Sequence, residues 1–280
     1  MREARNLTVR SRQDYPAFSG CSLLARQPAI IARSRKVTGT SPTLSQFAAL
    51  SFDCYGTLID WETGLLEALE PMLVHTSQRP SNTQVLEAYA AAEGEAETAH
   101  PAAPYPEILS RAWLTLANRF GIADDEAERE RFAHSVGNWP AFPDTSDALK
   151  RLQRRYKLII LSNIDRASFA MSKRRLGVDF DRIITAQDLG SYKPDPRNFE
   201  ALVAAVEEMG VARQKLLHVA QSLYHDHVPA KAIGLSTAWI DRRAGMAGGG
   251  ATPTPREEVQ PDFRFTTLAE LADAAEAEPS

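Results

Sequence analysis

The residue pair with the clearest chemical potential in this sequence is an aspartate and a distant lysine. Asp53 ends the apolar run QFAALSFD and precedes a turn around Gly56, so its carboxylate is expected to project from a strand end into a crevice. Backbone N–H groups of the turn could form an anion-binding nest beside it. A buried carboxylate needs a partner, and Lys193 in the proline-flanked loop SYKPDP is the candidate cation.

A carboxylate that a lysine holds ionised and oriented can attack an electrophile and form a covalent ester. Asp53 and Lys193 therefore indicate nucleophilic catalysis. The same residues also permit a structural interpretation, in which Asp53 only caps the turn that follows it. The chemistry of the pair alone does not choose between the two.

Further polar residues follow other predicted strands. Ser162 and Asn163 come directly after KLIIL, residues 188–193 follow the next strand, and residues 221–226 follow the one after. In open parallel sheets, sites gather at the carboxyl ends of the strands. These residues are far apart in sequence, yet we expect them at one sheet edge together with Asp53, which favours an enzyme.

The elements that must position these residues alternate between strand and helix. Helices are expected at residues 166–176, 196–209 and 226–233 between the strands and from residue 267 after the last one. This pattern predicts an α/β fold with a doubly wound parallel sheet. Strands are predicted at residues 46–53, 157–161, 182–186, 216–220, 236–240 and about 263–265.

No strand pattern occurs between about residues 65 and 140, where helical periodicity dominates. We therefore expect an all-helical insertion, a cap at residues 65–142, between core segments 47–64 and 143–280. Within it, the Ala- and Glu-rich run 90–99 is expected to be a solvated helix face. Tyr105, in the proline-rich break HPAAPYP, is a weaker candidate to reach the site.

Residues 1–46 differ from the rest of the chain. They carry eight Lys and Arg and two acidic residues, a net charge of +6 against −10 for the remainder. We expect a disordered extension, either a tail or a stretch translated from an early start codon, with a mitochondrial transit peptide as the alternative. The expected location is otherwise cytoplasmic.

Composition argues against several classes of partner. The net charge of −4 offers no footprint for nucleic acid, and no apolar stretch approaches the ~20 residues that span a bilayer. The two cysteines, Cys21 and Cys54, are expected to be free thiols. We predict a small-molecule substrate and leave a homodimer open.

Four segments resemble, in order, the motifs of the haloacid dehalogenase superfamily. SFDCYGTLIDWE resembles the first motif with its nucleophilic aspartate, IILSN the second, YKPDPRNFE the third, and LLHVAQSLYHDHVPAKAIGL the fourth. The resemblance covers roughly residues 47–270, with the helical insertion where the family carries its cap. It implies a Rossmann-like core and Asp53 as nucleophile.

Two departures within these motifs indicate the branch. Phosphatase members carry a second aspartate two places after the nucleophile, where this chain has Tyr55. They also carry acids for Mg²⁺ after the fourth strand, where this chain has Ala220 and Gln221. The sequence instead resembles the type II 2-haloacid dehalogenases, which implies no metal or other cofactor, and Mg²⁺ only if the chain is a phosphatase.

The resemblance implies a two-step hydrolysis of a small 2-haloacid to the 2-hydroxy acid. Asp53 would displace halide from carbon and form an ester, which water then hydrolyses. The resemblance implies that Lys193 holds negative oxygens, Thr57 forms a hydrogen bond beside the nucleophile and Asp226 orients the water. It implies that Ser162 and the amides near Cys54 and Tyr55 bind the substrate carboxylate, that Asn163 receives halide and that Ser222 contacts substrate. The residues implied to exclude water are Tyr55, Trp61 and Phe199.

Two features of the sequence depart from the pattern of the type II 2-haloacid dehalogenases. The halide-binding arginine of the family's cap has no counterpart at residues 84–89, and Arg79 lies before that helix. The fourth motif is one residue longer than usual and brings His225 and His227, either of which could contact substrate or water. A phosphatase and a non-catalytic binding relative therefore remain alternative hypotheses.

Overall fold

The computed structural model describes residues 42–246 and 250–279. The extension predicted at 1–46 lies outside the described residues except for 42–46. There, Leu44–Gln46 form a 3₁₀ turn whose Leu44 is buried in the core. Packing thus begins slightly before the predicted core boundary at residue 47.

One parallel sheet organises the described chain. Its strands lie in the order β3-β2-β1-β4-β5-β6 and all neighbouring pairs are parallel, which confirms the predicted α/β sheet. The strands are β1 Ala49–Phe52, β2 Lys157–Ser162, β3 Arg182–Thr185, β4 Leu216–Ala220, β5 Ser236–Ile240 and β6 Phe263–Phe265.

Ten α-helices accompany the sheet in the described chain, and two of them, α5 and α7, are absent from the sequence-based prediction. None is both long and apolar enough to cross a bilayer within residues 42–246 and 250–279. The helices are α1 Trp61–Leu73, α2 Asn82–Ala99, α3 Tyr105–Phe120, α4 Glu126–Ala133, α5 Thr145–Leu152, α6 Arg166–Leu176, α7 Ala186–Leu189, α8 Pro196–Glu208, α9 Val228–Ala232 and α10 Leu268–Ala277.

Apolar packing on both faces fixes the sheet. Alternate residues of β1 belong to two different clusters of buried apolar side chains. Leu50 and Phe52 belong to the larger cluster, and Ala49 belongs to the smaller one. Alternate side chains of a strand point to opposite faces, so helices must cover both sides. This burial holds the carboxyl end of β1 at the centre of the sheet edge.

Helices α1 to α4 follow β1, as the helical pattern predicts, and α5 comes after them before β2. The predicted boundary at residue 65 falls inside the continuous helix α1, and the division into domains stays a prediction. Gly64 of α1 lies against the Trp139 side chain, and Trp139 follows the 3₁₀ turn Ser135–Asn138. This close contact joins the two ends of the helical insertion.

The contact between Gly64 and Trp139 yields a stability prediction. A Cβ at position 64 would lie 2.4 Å from Trp139 side-chain atoms, so Gly64→Ala should destabilise the protein by about 1–3 kcal/mol through overpacking. Gly94 on α2 has no atom within 4 Å of such a Cβ, so Gly94→Ala should stabilise by up to ~1 kcal/mol. Urea unfolding of both variants measures the difference, and equal effects would contradict this packing account.

Candidate active site

Asp53 lies directly after the central strand β1. Its backbone N–H donates to the Val219 carbonyl 3.1 Å away, which extends the pairing with β4 by one residue. The chain then turns at Gly56, whose φ of 93° favours glycine. In the described chain, the N–H groups of Cys54 and Tyr55 donate to no protein acceptor, so they are available to an anion.

Lys193 is the charge that balances Asp53. Its Nζ lies 2.9 Å from Asp53 Oδ1, 2.7 Å from Asp226 Oδ1 and 3.1 Å from the Leu161 carbonyl. These contacts satisfy the three donors of the ammonium group. Since the side chain is 1% exposed, its charge acts in a largely dehydrated setting. The structure thus brings together the aspartate and lysine that the sequence pairs.

The loop that carries Lys193 is anchored by Asn163. The Asn163 side-chain Nδ2 donates to the Lys193 carbonyl at 3.0 Å, and the Lys193 N–H donates to Asn163 Oδ1 at 2.6 Å. Asn163 therefore joins the end of β2 to the loop after α7 and positions the lysine. Its predicted contact with halide stays a prediction.

Thr57 connects Asp53 to the loop after β4. Its hydroxyl donates to Asp53 Oδ2 at 2.7 Å and accepts from the backbone N–H of Gln221 at 2.8 Å. Each carboxylate oxygen of Asp53 thus has one donor within the protein, Thr57 or Lys193. The orientation of the carboxylate is fixed from two sides.

A buried polar chain continues behind Lys193. Asp226 Oδ1 also lies 2.9 Å from His218 Nε2, and His218 Nδ1 lies 2.8 Å from the Ser51 hydroxyl. His218 and Ser51 are on neighbouring strands and have no exposed surface. Asp226 Oδ2 is a buried atom that has no partner in the described residues. This oxygen is available to a water molecule or a substrate.

A π-helical turn, Leu223–His227, places Asp226. A π turn accommodates one residue more than an α turn, and it lies where the fourth motif is one residue longer. The helix predicted to start at Asp226 therefore begins differently, and α9 follows the π turn. His225 lies at the site, whereas His227 is fully buried, with Nε2 2.9 Å from the Ala220 carbonyl.

The three buried ionisable groups shift one another's pKa values. Burial raises the pKa of Asp53, Asp226 adds to the rise, and Lys193 and Thr57 oppose it, with a raised pKa as the result. Burial also opposes ionisation of Asp226, but Lys193 and His218 hold its pKa well below the usual range. Burial lowers the pKa of Lys193, but Asp226 and Asp53 outweigh it and raise the pKa to about 12.

Asp53 faces a cleft of about 50 Å³, which is room for a small molecule or a few waters. One wall comes from the sheet edge and the other from the helical insertion. The residues that line it are Asp53, Tyr55, Trp61, Glu93, Glu97, Tyr105, Ser162, Asn163, Lys193, Ser222, His225, Asp226, Ala251 and Thr252.

The side of the cleft formed by the helical insertion shows that the prediction of a solvated helix face at residues 90–99 is partly wrong. Glu93 and Glu97 of α2 face the cleft, so the run is only partly a solvated helix face. Tyr105, at the start of α3, also lines the cleft. Its hydroxyl donates to Glu93 Oε1 at 2.5 Å, and the Tyr89 hydroxyl donates to the same oxygen at 2.9 Å.

One other sequence-based expectation changes, that for Phe199. Phe199 was predicted to wall off water, but its buried ring packs edge-on against His218, 5.3 Å between centroids, and does not line the cleft. The Cys54 side chain is wholly buried in the core, so only its backbone can meet a substrate. Arg79 is paired with Glu70 on the surface, and no arginine in the described chain lines the cleft.

The remaining predicted residues lie at the cleft. Tyr55 and Trp61 form part of its wall, and the Tyr55 hydroxyl lies 2.9 Å from Ser172 Oγ. The Ser222 hydroxyl accepts from the His225 N–H at 3.0 Å. The Ser162 hydroxyl is buried and has no partner in the described chain. Contacts of these side chains with substrate stay predictions.

The donor groups present do not suit a divalent cation. Asp53 Oδ1 is already paired with the Lys193 ammonium, and the positions after β4 hold Ala220 and Gln221 in place of acids. A hard cation prefers several oxygen ligands, preferably anionic. Across residues 42–246 and 250–279, no group of three or more His, Cys, Asp or Glu is arranged to hold a metal.

Sequence reasoning missed Glu93, Glu97 and His218. Tyr89, Glu93 and Glu97 recur at intervals of four, which places them on one side of a helix. Together with the small buried residues Ala92 and Ala96, this spacing was a signal of a buried polar stripe. His218 gave no such signal, because its neighbours in β4 are apolar.

The fold and the Asp53–Lys193 pair define a parallel α/β protein whose site lies between the sheet edge and a helical insertion. The chain belongs to the haloacid dehalogenase-like hydrolase family, whose model matches residues 47–234. This confirms the superfamily indicated by the four sequence motifs.

Named relatives agree with this assignment. The chain is 24% identical over 233 residues to (S)-2-haloacid dehalogenase 4A of Burkholderia cepacia, covering 79% of this chain and 88% of that protein. It is 30% identical over 161 residues to (S)-2-haloacid dehalogenase of Pseudomonas sp. (strain YL), covering 56% and 64%.

Solved structures share the fold. The L-2-haloacid dehalogenase PA0810 superposes with a TM-score of 0.66 at 25% identity, covering 83% of this chain and 100% of that chain. L-2-haloacid dehalogenase from Xanthobacter autotrophicus gives a TM-score of 0.64 at 22% identity, with the same coverage.

The buried charges predict an unusual pH dependence of stability. Replacing Lys193 with Met leaves Asp53 and Asp226 without their cation, which should cost about 3–5 kcal/mol near neutral pH. Both carboxyl pKa values then lie above their unfolded values, so the folded variant binds more protons and regains stability as pH falls. In the native protein, the depressed pKa of Asp226 contributes stability that is fully present above its unfolded value of 3.8 and is lost only as the pH falls below it, so this contribution stays constant over the pH range of the test.

Urea unfolding near neutral pH and about two pH units lower measures this change of slope. Lys231→Met is the control, because that lysine pairs with Asp262 at a partly exposed site and should contribute about 1 kcal/mol or less. A Lys193→Met protein that loses stability on acidification would contradict the account.

Proposed function

We propose that this protein is a hydrolase that displaces halide from a small 2-haloacid and releases the 2-hydroxy acid. The observation that carries the proposal is the buried Asp53–Lys193 pair, 2.9 Å apart, with Tyr55 where a phosphatase would place its second acid. The names of the relatives support the same reaction class.

In the first step, one oxygen of Asp53 attacks the carbon that bears the halogen. A carbon–oxygen bond forms as the carbon–halogen bond breaks, and halide leaves with the electron pair. Lys193 and Thr57 hold the carboxylate in one orientation, so little freedom is lost when it reacts. The Ser162 hydroxyl and the N–H groups of Cys54 and Tyr55 are free to bind the substrate carboxylate.

In the second step, water attacks the ester carbonyl of Asp53, and the bond between that carbonyl carbon and the alcohol oxygen breaks. One proton of the water passes to the departing alcohol oxygen, the other is released to solvent, and the Asp53 carboxylate is regenerated. Lys193 stabilises the negative oxygen that develops at that carbonyl. Asp226 Oδ2, buried and without a protein partner, is placed to orient the water. Neither step requires a metal, in keeping with the donor groups at the site.

A phosphatase is the competing function. It would use the same nucleophile, but it needs an acid to protonate the leaving alcohol and ligands for Mg²⁺. The cleft offers Tyr55 at the first position, and burial raises the pKa of its hydroxyl well above the usual range. Tyr55 is therefore a poorer proton donor than an ordinary tyrosine.

The proposal predicts halide release from 2-chloropropionate in the presence of EDTA. Asp53→Asn should abolish release, because the amide is too weak a nucleophile to displace halide. The assay is halide measured in parallel with phosphate from a small phosphate ester, with and without Mg²⁺. Phosphate release that requires Mg²⁺, with no halide from any 2-haloacid, would sink the proposal.

Asp241 supplies the matched control for the nucleophile. It follows β5 as Asp53 follows β1 and is also buried, but it pairs with Arg264 and does not line the cleft. Asp241→Asn should keep halide release. Loss of activity in both variants would show that a folding defect, and not the missing nucleophile, explains the Asp53 result.

A further inference from the structure

The cleft is lined by more carboxyl groups than a 2-haloacid alone would favour. Four carboxyl groups and one ammonium line it in the described chain, with Asp53 and Asp226 on the sheet side and Glu93 and Glu97 on the α2 side. Lys193 is fully engaged with the two aspartates. No described cation forms an ion pair with either glutamate, so the α2 side offers no positive partner to a purely anionic ligand.

Glu93 is fixed in place. Its Oε1 accepts from the Tyr89 and Tyr105 hydroxyls, at 2.9 and 2.5 Å, while Oε2 accepts from nothing in the described chain. Burial raises the pKa of Glu93, and the two hydroxyl donors oppose that rise. Both donors share one oxygen, which leaves the second oxygen for a ligand. The aromatic hydroxyls therefore hold an acceptor at a defined position in the cleft wall.

Glu97 lies one helical turn beyond Glu93 and has no hydrogen-bond partner in residues 42–246 and 250–279. Burial and the neighbouring Glu93 raise the pKa of Glu97 well above its usual range, and Lys193 opposes the rise. A second cation beside this carboxyl would relieve both effects. We refer to Glu93 and Glu97 as the cap carboxyl pair.

The sheet side of the same cleft has the opposite character. The Ser162 hydroxyl is 2% exposed, lines the cleft and has no protein partner. The N–H groups of Cys54 and Tyr55 also donate to no described acceptor. A buried polar group without a partner is costly unless a ligand or water satisfies it. Hydrogen-bond donors thus face the cap carboxyl pair across the cleft.

We propose that the substrate is a small 2-halocarboxylate that also carries a protonated amine, which the cap carboxyl pair binds. The inference rests on the proposed dehalogenation and names its substrate class. The substrate carboxylate meets Ser162 and the free N–H groups, and the ammonium meets Glu93 Oε2 and Glu97. An ammonium ion suits the pair better than a metal, since no described cluster has the ligands to hold one.

Two isosteric substrates test the inference. 2-Chlorobutyrate and 3-amino-2-chloropropionate differ by exchange of a methyl for an ammonium group. Wild-type enzyme should favour the aminated compound in kcat/KM by roughly ten- to a hundredfold, the size of a charged hydrogen bond. Glu97→Gln should remove that preference, lowering kcat/KM for the aminated compound much more than for 2-chlorobutyrate. Glu95→Gln, on the exposed side of α2, should change neither.

Each outcome has a distinct meaning. Equal or better turnover of 2-chlorobutyrate, or an equal loss of both activities in Glu97→Gln, overturns the inference and leaves the dehalogenase proposal standing. Halide release from neither compound is instead a failure of the proposed function.

In that case, calorimetric binding to wild-type protein decides the inference. Isoserine and 2-hydroxybutyrate are the hydroxy acids that correspond to the two chlorinated compounds. Tighter binding of isoserine that is lost in Glu97→Gln supports the ammonium site. Equal binding of the two, or no binding of either, overturns it.

Discussion

The contact of one buried ammonium with two buried carboxylates is the interaction on which this site depends. Lys193 lies between Asp53 and Asp226, and its charge makes ionised carboxylates tolerable in a dehydrated sheet edge. The geometry needs three distant segments at once: the end of β1, the loop after α7 and the π turn after β4. A parallel sheet with β1 beside β4 brings these segments to one edge, and Asn163 and Thr57 fix their relative positions.

The helical insertion adds a second charge arrangement to the first. On the sheet side, Lys193 pairs with both carboxylates, and buried hydrogen bonds stabilise them. On the α2 side, Glu93 is held by two tyrosine hydroxyls and Glu97 faces the cleft without a partner in the described chain. The chain thus combines the core of a haloacid dehalogenase-like hydrolase with a helical insertion that presents two carboxyl groups to the cleft. Asp53 is proposed to set the reaction class, and the cap carboxyl pair is proposed to set the substrate.

Much of the core could be predicted from sequence, because strand periodicity and strand-end polar residues are local signals. The bounds of β4, β5 and α6 agree with prediction to the residue, and Asp53, Lys193 and Asp226 meet as the motifs imply. The cap was harder. Glu93 and Glu97 look like solvent-facing residues until the packing of α2 against α3 is known. Phe199 looked like a wall residue because of its motif, but its position on α8 turns it toward His218.

The central claim is that Asp53 forms an ester which water cleaves at the carboxyl carbon. Multiple turnover of a 2-haloacid in water enriched in heavy oxygen, followed by mass spectrometry of the peptide that contains Asp53, tests this most directly. The account predicts that the heavy isotope accumulates in the Asp53 carboxylate, because each hydrolysis exchanges one of its oxygens. Heavy oxygen found in the released hydroxy acid from the first turnover, with Asp53 unlabelled, would mean that water attacks the substrate directly and would contradict the account.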